Sequence, residues 1–355
     1  MTTPASGDDE ARPDLAALIV RATAPEPMTA DEAEAAFSEV MDGHASPVQI
    51  AAMLVALRPR REAPAEIAGG VRALRRAMVP VAADDTSQLV DTCGTGGGAL
   101  TTFNISTAAA FVAAGAGVRI AKHGNRSFSS RCGSADILEA LGVRIEMSAD
   151  EMAGVLDQAG MVFMFAPLLH PAMRHVAPVR RELRMPNIMN LLGPLTNPAG
   201  ASRQVVGVSD PALLELIAAA LRELGHHRAL VVHGEPGIDE LSPIGVTRII
   251  ELRNGELDRS SVDLRDHLDG YDLDPASLDG GDPDQNARLV LEILAGSTPD
   301  AARAAVVINA AAAIYVAGLA DSLPLGIRAA EQAIDSGAAR DALDRLREAS
   351  RPGAA

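Results

Sequence analysis

The sequence predicts an α/β protein: a small all-helical N-terminal domain followed by a larger α/β domain whose central, mostly parallel sheet is flanked by helices. Three observations carry this. No strand pattern appears before residue 88, although capped helical segments do. From Gln88 onward, short apolar runs alternate with helical stretches, the pattern of βα units around a parallel sheet. From Asp284 to about Ala349 the chain is helical again, with Asn309 to Ala317 apolar enough to be buried.

Residues 1–13 are polar and Pro-containing and are expected to be disordered. The helical domain is expected over 14–82. Thr29 with Glu32 forms a capping box, and Gly43 stops that helix near Met41. Ser46-Pro47 opens the next helix, whose apolar face is expected at Val48, Met53, Leu54 and Leu57. A third runs from about Ala65 to Met78. The α/β domain is expected over 86–349. Its strand candidates are Leu89-Val90, Val118 to Ile120, Met161 to Phe165, Val205 to Val208, Ala229 to Val232 and Arg248 to Leu252. Its helix candidates are Ser106 to Ala114, Ala135 to Leu141, Asp150 to Gln158 and Ala212 to Leu224.

At 355 residues the chain can bury a large core, and with 48% apolar but only 2% aromatic residues and no Trp that core is built from Ala, Val, Leu, Ile and Met. The net charge of −16 argues against a nucleic-acid or anionic-membrane partner, because an acidic surface repels phosphate backbones at a distance. A local basic pocket remains compatible with a small polyphosphate. Two cysteines, Cys93 and Cys132, make neither a disulfide framework nor a zinc site. No apolar run approaches membrane-spanning length and the start lacks a signal-peptide pattern, so a cytoplasmic protein is expected.

Lys122 is the one lysine among 31 basic residues. Where arginine has replaced every other lysine, a retained ammonium suggests a task suited to a compact point charge, such as binding a single phosphate oxygen. It is read at the start of a loop, after the apolar run Val118 to Ala121, with Asn125, Arg126, Ser129, Ser130 and Ser134 supplying further donors. The serines equally suit turns, and Ser134 the cap of the following helix.

A second loop, Asp91 to Gly98, holds four glycines and precedes a helix opened by Asn104-Ile105-Ser106-Thr107. Closely spaced glycines let backbone N–H groups converge on a ligand, and a helix N-terminus adds unpaired donors and a positive dipole end. Alone, such a loop also serves as a simple turn. It matches neither the Walker A pattern nor a dinucleotide fingerprint. A third loop, His233 to Ser242, carries adjacent Asp239 and Glu240, either a solvated acidic turn or ligands for Mg2+ shared with substrate phosphates. Loops following neighbouring parallel strands meet at one sheet edge, the usual ligand crevice of open α/β sheets. In the fourth segment, Pro167 to Leu183, Pro171 is expected to open a helix on which Arg174 and Arg181 share a face. Helix position alone does not single out Arg180.

These motifs, in this order, resemble the anthranilate phosphoribosyltransferase family. The matching residues are Gly94 to Gly97, Asn104 to Thr107, Lys122 to Arg126, Ser129-Ser130, Gly133 to Asp136, Leu138 to Gly142, His170 to Met173, Val179 to Arg181, Asn190 to Pro198 and Asp239 to Ser242. The resemblance runs from about residue 14 to 348. Pyrimidine nucleoside phosphorylases share the Lys122 to Asn125 motif but lack the His170 to Met173 and Asn190 to Pro198 runs.

The resemblance implies transfer of a phosphoribosyl group from phosphoribosyl pyrophosphate to the amine of anthranilate, with Mg2+, in tryptophan biosynthesis. It implies a homodimer formed through the helical domains, with that domain and its hinge completed by the segment near 180–203. The donor is expected on Gly94, Gly97, Gly98, Thr102, Asn104, Ile105, Ser106, Thr107, Lys122, His123, Gly124, Asn125, Arg126, Ser127, Phe128, Ser129, Ser130 and Ser134. Anthranilate is expected on Gly94, Asn125 and Arg180, with Pro167, His170 and Pro194 lining its path, and Mg2+ on Ser106, Asp239 and Glu240. Lys122, His123 and Asn125 are the expected catalytic residues. An aniline nitrogen is neutral at pH 7, so no indispensable general base is expected. The difficulty lies in the departure of pyrophosphate.

Two departures from the family pattern stand out. Gly98 replaces a usual Asp, removing a carboxylate beside the pyrophosphate and metal. After Leu183, Arg184-Met185-Pro186-Asn187 replaces Gly-x-Arg-Thr, and Pro186 alters the hinge. The alternatives are a relative acting on another amino- or hydroxybenzoate and, in another class, a non-enzymatic nucleic-acid-binding relative.

Overall fold

The computed structural model describes residues 13–127, 131–297 and 300–353. The expectation for the N-terminal tail therefore lies outside the described residues, except at Pro13. Four helices come first: α1 (Leu15–Ala22), α2 (Ala30–Met41), α3 (Pro47–Ala56) and α4 (Pro64–Ala77). Both expected helix starts form capping boxes, Thr29 with Glu32 and Ser46 with Gln49, and Gly43 takes a φ of +78° just past α2. The inward face of α3 differs from the expectation. Val48 is 78% exposed, while Ile50, Met53, Leu54 and Leu57 are buried. Ile50 starts the i, i+3, i+4, i+7 series that faces the core, and Val48 sits about 200° around the helix from it.

The rest alternates. β1 (Leu89–Gly94), α5 (Ile105–Gly115), β2 (Arg119–Gly124), α6 (Ser134–Ala140), α7 (Ala149–Ala159) and β3 (Met161–Phe165) form the first half. The short α8 (Ala166–Leu169), then α9 (Met173–Leu183) and the short α10 (Met189–Leu192), lead back toward the helical layer. Then follow β4 (Arg203–Gly207), α11 (Leu214–Glu223), β5 (Arg228–Gly234), β6 (Thr247–Arg253) and β7 (Glu256–Val262). The chain closes with α12 (Pro283–Leu294), α13 (Ala301–Ala317), α14 (Leu323–Asp335) and α15 (Ala338–Ala349).

The sheet order is β3-β2-β1-β4-β5-β6-β7, with the first five strands parallel and β6 and β7 antiparallel. One sheet face is covered by α5, α13 and α15. On the other face Val206, Val231 and Ile250 share a core with α11 and the N-terminal helices. Among the described residues no helix is long and apolar enough to cross a membrane.

Three further readings are corrected. β7 has no sequence counterpart: it is an edge strand of mostly exposed charged and Ser residues, so no apolar run marks it. Pro171 lies two residues before α9 rather than opening it, whereas Pro178 sits inside the helix. Ser134 is the first helical residue of α6 and not its cap. Asp136 takes over that role by accepting from the Gly133 N–H at 2.8 Å.

Candidate active site

β1 and β4 run side by side, yet the chain leaves them in opposite directions across the sheet, which makes their C-terminal ends the topological switch point. Both strands end in a paired glycine, Gly94 opposite Gly207. The loop after β5 folds into the space they leave. A Cβ on Gly207 would stand 1.6 Å from the Asp239 carbonyl oxygen, and one on Gly94 would stand 2.6 Å from Asp239 Oδ2. These glycines are therefore required by close approach of backbone.

Asp239 Oδ2 accepts from the Gly96 N–H at 2.9 Å, and Glu240 Oε1 accepts from the Ser106 N–H at 3.1 Å. Ser106 lies in the first turn of α5, so Glu240 takes one of that helix's unpaired donors. The glycine-rich loop, the start of α5 and the acidic pair thus form one site. Among the described residues the N–H groups of Gly97 and Gly98 have no protein acceptor and remain available to an anion. Ile105 and Thr107 are buried, and Asn104 is fixed by bonds to Cys132 O and Asn286. Thr102 bridges Asp279. A Cβ on Gly98 would approach Gly237 O at 3.0 Å and Asp239 Oδ1 at 3.6 Å, so the carboxylate missing here would have crowded Asp239.

Lys122 lies within β2 rather than in a loop, because the strand extends to Gly124. It is 2% exposed. Its Nζ donates to the Thr92 carbonyl and, at 3.3 Å each, to the Thr92 and Ser106 hydroxyls. Burial lowers its pKa, with Asp91 as the main opposing charge. Asp91, itself buried, accepts from His123 N at 3.2 Å and Asn197 Nδ2 at 2.8 Å, while Asn197 also donates to Ala121 O. Asp91 and Asn197 carry no expected role from sequence, although both lie in the motifs given above; an acid directly after the apolar Leu89-Val90 run was the available signal.

Burial pushes the Asp239 and Glu240 carboxyls above their usual range, and for Glu240 the neighbouring Asp239 charge adds to this while Lys122 opposes it. Two crowded carboxylates that resist ionisation fit a divalent cation. Among the described residues no group of three or more His, Cys, Asp or Glu could hold an ion alone, so a cation here needs oxygens from a ligand.

After β2, Asn125 Oδ1 accepts from Arg126 N at 2.7 Å and its carbonyl accepts from Ser134 Oγ at 3.1 Å. The Arg126 guanidinium is turned to Asp136 and Glu139 on α6, and Ser127 N also donates to Asp136. Phe128, Ser129 and Ser130 lie outside the described residues. Gly124 pairs with Phe165 on β3, which brings the β2 loop beside α8 with its Pro167 and beside His170. His123 Nε2 lies 3.2 Å from His170 Nε2, and Pro194 O accepts from Gln204 Nε2 at 3.0 Å. Arg180, near the end of α9, donates to Asn190 Oδ1 at 3.3 Å. Among the described residues no hydrogen bond or ion pair joins Arg180 or Arg126 to the acidic pair.

A separate cavity of about 430 Å³ opens between β5, β6, β7 and α13, lined by Glu251, Asp263 and Tyr315 among others. None of the expected site residues lines it, and although the start of α14 at Ser322 and Leu323 reaches it, no glycine loop does.

Comparison with known proteins agrees with this geometry. A glycosyl transferase family α/β-domain model matches residues 86–340, and that family's helical-bundle model matches 16–78. The anthranilate phosphoribosyltransferase of Rubrobacter xylanophilus is 50% identical over 340 residues, covering 95% of this chain and 98% of that protein. This chain belongs to the anthranilate phosphoribosyltransferase family. A crystal structure of the family's Thermus thermophilus member superposes with a TM-score of 0.88 at 42% identity, covering 94% of this chain and 99% of that one. The Saccharomyces cerevisiae member, solved with phosphoribosyl pyrophosphate and Mg, is 24% identical with a TM-score of 0.84, covers 95% and 97% of the two chains, and speaks to the fold. These anthranilate phosphoribosyltransferases lend no support to the alternative benzoate or nucleic-acid-binding readings.

Proposed function

We propose that this chain transfers the phosphoribosyl group of phosphoribosyl pyrophosphate to the amino group of anthranilate, releasing pyrophosphate and forming N-(5-phosphoribosyl)anthranilate in tryptophan biosynthesis. The observation that carries it is the meeting of Asp239, Glu240, the glycine loop and the start of α5 at one sheet edge. A diphosphate would lie against the free N–H groups of Gly97 and Gly98, between Thr102, Asn104 and Thr107 on one side and Asn125, Arg126, Ser127 and Ser134 on the other. Ser106, Asp239 and Glu240 would hold Mg2+, which neutralises charge growing on the leaving group. The Lys122 amine lies beneath Ser106, where it opposes the rise of the Glu240 carboxyl.

The acceptor would enter beside Pro167, His170 and Pro194, with Asn125 and Arg180 taking its carboxylate. Holding the amine over the anomeric carbon then supplies much of the rate. Such a nucleophile needs only orientation, and its proton can leave to water after attack. We also read 14–82 with the segment near 180–203 as one helical domain and 86–349 as the donor-binding domain, supported by α9 and α10 sharing a core with α2, α3 and α4. We further read the protein as a cytoplasmic homodimer through the helical domains, in which the exposed Val20 and Val48 on α1 and α3 would be covered.

The test is incubation of the pure protein with phosphoribosyl pyrophosphate, Mg2+ and a panel of benzoates, following acceptor loss and pyrophosphate release together. Anthranilate should be consumed one for one with pyrophosphate formed, and chelation of Mg2+ should stop both. Pyrophosphate release without anthranilate loss, or preference for another benzoate, would overturn the assignment.

A further inference from the structure

We propose that Asn309 is a positioning residue for the acidic pair: from the middle of α13 it clamps the backbone of Leu241 and so fixes where Asp239 and Glu240 stand. Between Arg303 and Tyr315 it is the one side chain of α13 with hydrogen-bonding groups, and it is 3% exposed. Its Oδ1 accepts from Leu241 N at 2.9 Å, and its Nδ2 donates to Leu241 O at 3.0 Å and to Ala305 O at 2.9 Å. The amide orientation is determined by these partners, since a flipped amide would set NH2 against an N–H and oxygen against two carbonyls.

An asparagine inside a helix is worse than alanine by about half a kcal/mol, so propensity does not explain its place. Packing does not explain it either, because α13 is otherwise Ala, Val and Ile at this level. What it does is satisfy both backbone groups of a fully buried residue directly following Glu240. Upstream, the Asp239 carbonyl is pressed against Gly207. The acidic dipeptide is therefore gripped on both sides, by the Gly207 surface and by Asn309. Two adjacent carboxylates repel each other, and a loop free to relax would turn one of them toward water. The clamp keeps both aimed at the cradle.

This inference rests on the reading that Asp239 and Glu240 hold Mg2+. The experiment uses the full chain with phosphoribosyl pyrophosphate present and compares wild type, Asn309→Ala, Asn309→Ser and Glu240→Gln. Asn309→Ser keeps a hydroxyl that can bond Ala305 O but is too short to reach Leu241, so it is the variant to use if alanine fails to fold. Mg2+ binding is measured by titration calorimetry, the Leu241 amide by hydrogen exchange, and KM for anthranilate by steady-state assay. In both Asn309 variants the half-saturating Mg2+ should rise about tenfold or more, as for loss of an outer-shell partner, with KM for anthranilate unchanged within about twofold. Leu241 exchange should accelerate while β5 stays protected. Unchanged Mg2+ binding with a lowered Tm would reduce Asn309 to a core hydrogen bond and overturn the proposal. Should Glu240→Gln leave Mg2+ binding unaltered, the metal reading itself fails. If Glu240→Gln weakens binding and neither Asn309 variant does, only the clamp fails.

Discussion

His123 Nε2 and His170 Nε2 stand 3.2 Å apart with their ring centroids 5.0 Å apart. Two imidazoles so close share one hydrogen bond and cannot both carry a positive charge. Burial, with His170 and Lys122 adding to it, takes His123 down to about 3, and burial takes His170 down to about 4. Both are neutral and weakly basic at working pH. His123→Ala should therefore lower kcat by less than about tenfold, whereas Glu240→Gln or Lys122→Met should cost about 10²–10³-fold, the range seen when preorganised charge stabilisation is lost. The kcat/KM profile should show no inflection near pH 6.5. A collapse in His123→Ala equal to that in Glu240→Gln would give proton removal a leading role.

Three histidines held below their ordinary range weaken the fold in acid. His123, His170 and His226 all lie below the ordinary 6.5, His226 to about 3 through burial and the nearby Arg75. Between 6.5 and these lower values the unfolded chain takes up protons that the folded chain refuses. Their contribution is thus complete above about pH 6.5 and is lost as pH falls through that window. Because the raised Asp239 and Glu240 carboxyls act in the opposite sense, scanning calorimetry should find a fall in Tm between about pH 7 and about pH 5 that is smaller than the histidines alone would give. His226→Phe should blunt that fall, since neither ring nitrogen of His226 has a hydrogen-bond partner to lose.

Gly207→Ala places a methyl group where the Asp239 carbonyl now sits. The strand can accept alanine, but the acidic loop must retreat. Expected are a folded protein by circular dichroism and a loss of turnover of about 10²-fold or more, as displacement by about 1 Å costs in a preorganised site. Near wild-type turnover would mean that the loop finds an equivalent position.

Arg180 and Asn190 should act as one unit. Asn190 Oδ1 accepts from both Arg180 Nη2 and Asn187 N, at 3.3 and 3.2 Å. Removing the guanidinium should raise KM for anthranilate about 10–100-fold, and Asn190→Ala should raise it severalfold, both leaving KM for the phosphoribosyl donor unchanged. In the Arg180→Ala background, Asn190→Ala should add little. Full additivity in that cycle would separate the two residues.

Much of this was legible because the signals were local. Thr29-Glu32 and Ser46-Gln49 announce helix starts through short-range bonds, and the glycine and acidic loops carry their chemistry in consecutive residues. The rest depended on distant partners. Lys122 was placed in a loop because a charged residue normally ends an apolar strand. Only Asp91, thirty-one positions away in sequence, makes a buried ammonium tenable there. β7 lacked an apolar face to detect, although the Asn254-Gly255 pair, both at positive φ, was a readable hairpin turn. Val48 was misassigned because spacing gives a helix's period, while only packing fixes which stripe faces inward. Arg180 was named through resemblance, as α9 offers several arginines and the deciding contact to Asn190 spans a turn.

A solitary lysine enclosed between Thr92 and Ser106 also makes the protein a convenient object for covalent labelling. Amine-directed reagents have two conceivable targets, the chain's amino terminus and Nζ of residue Lys122. Acylation of the second reports, by mass alone, how often the strands around it part.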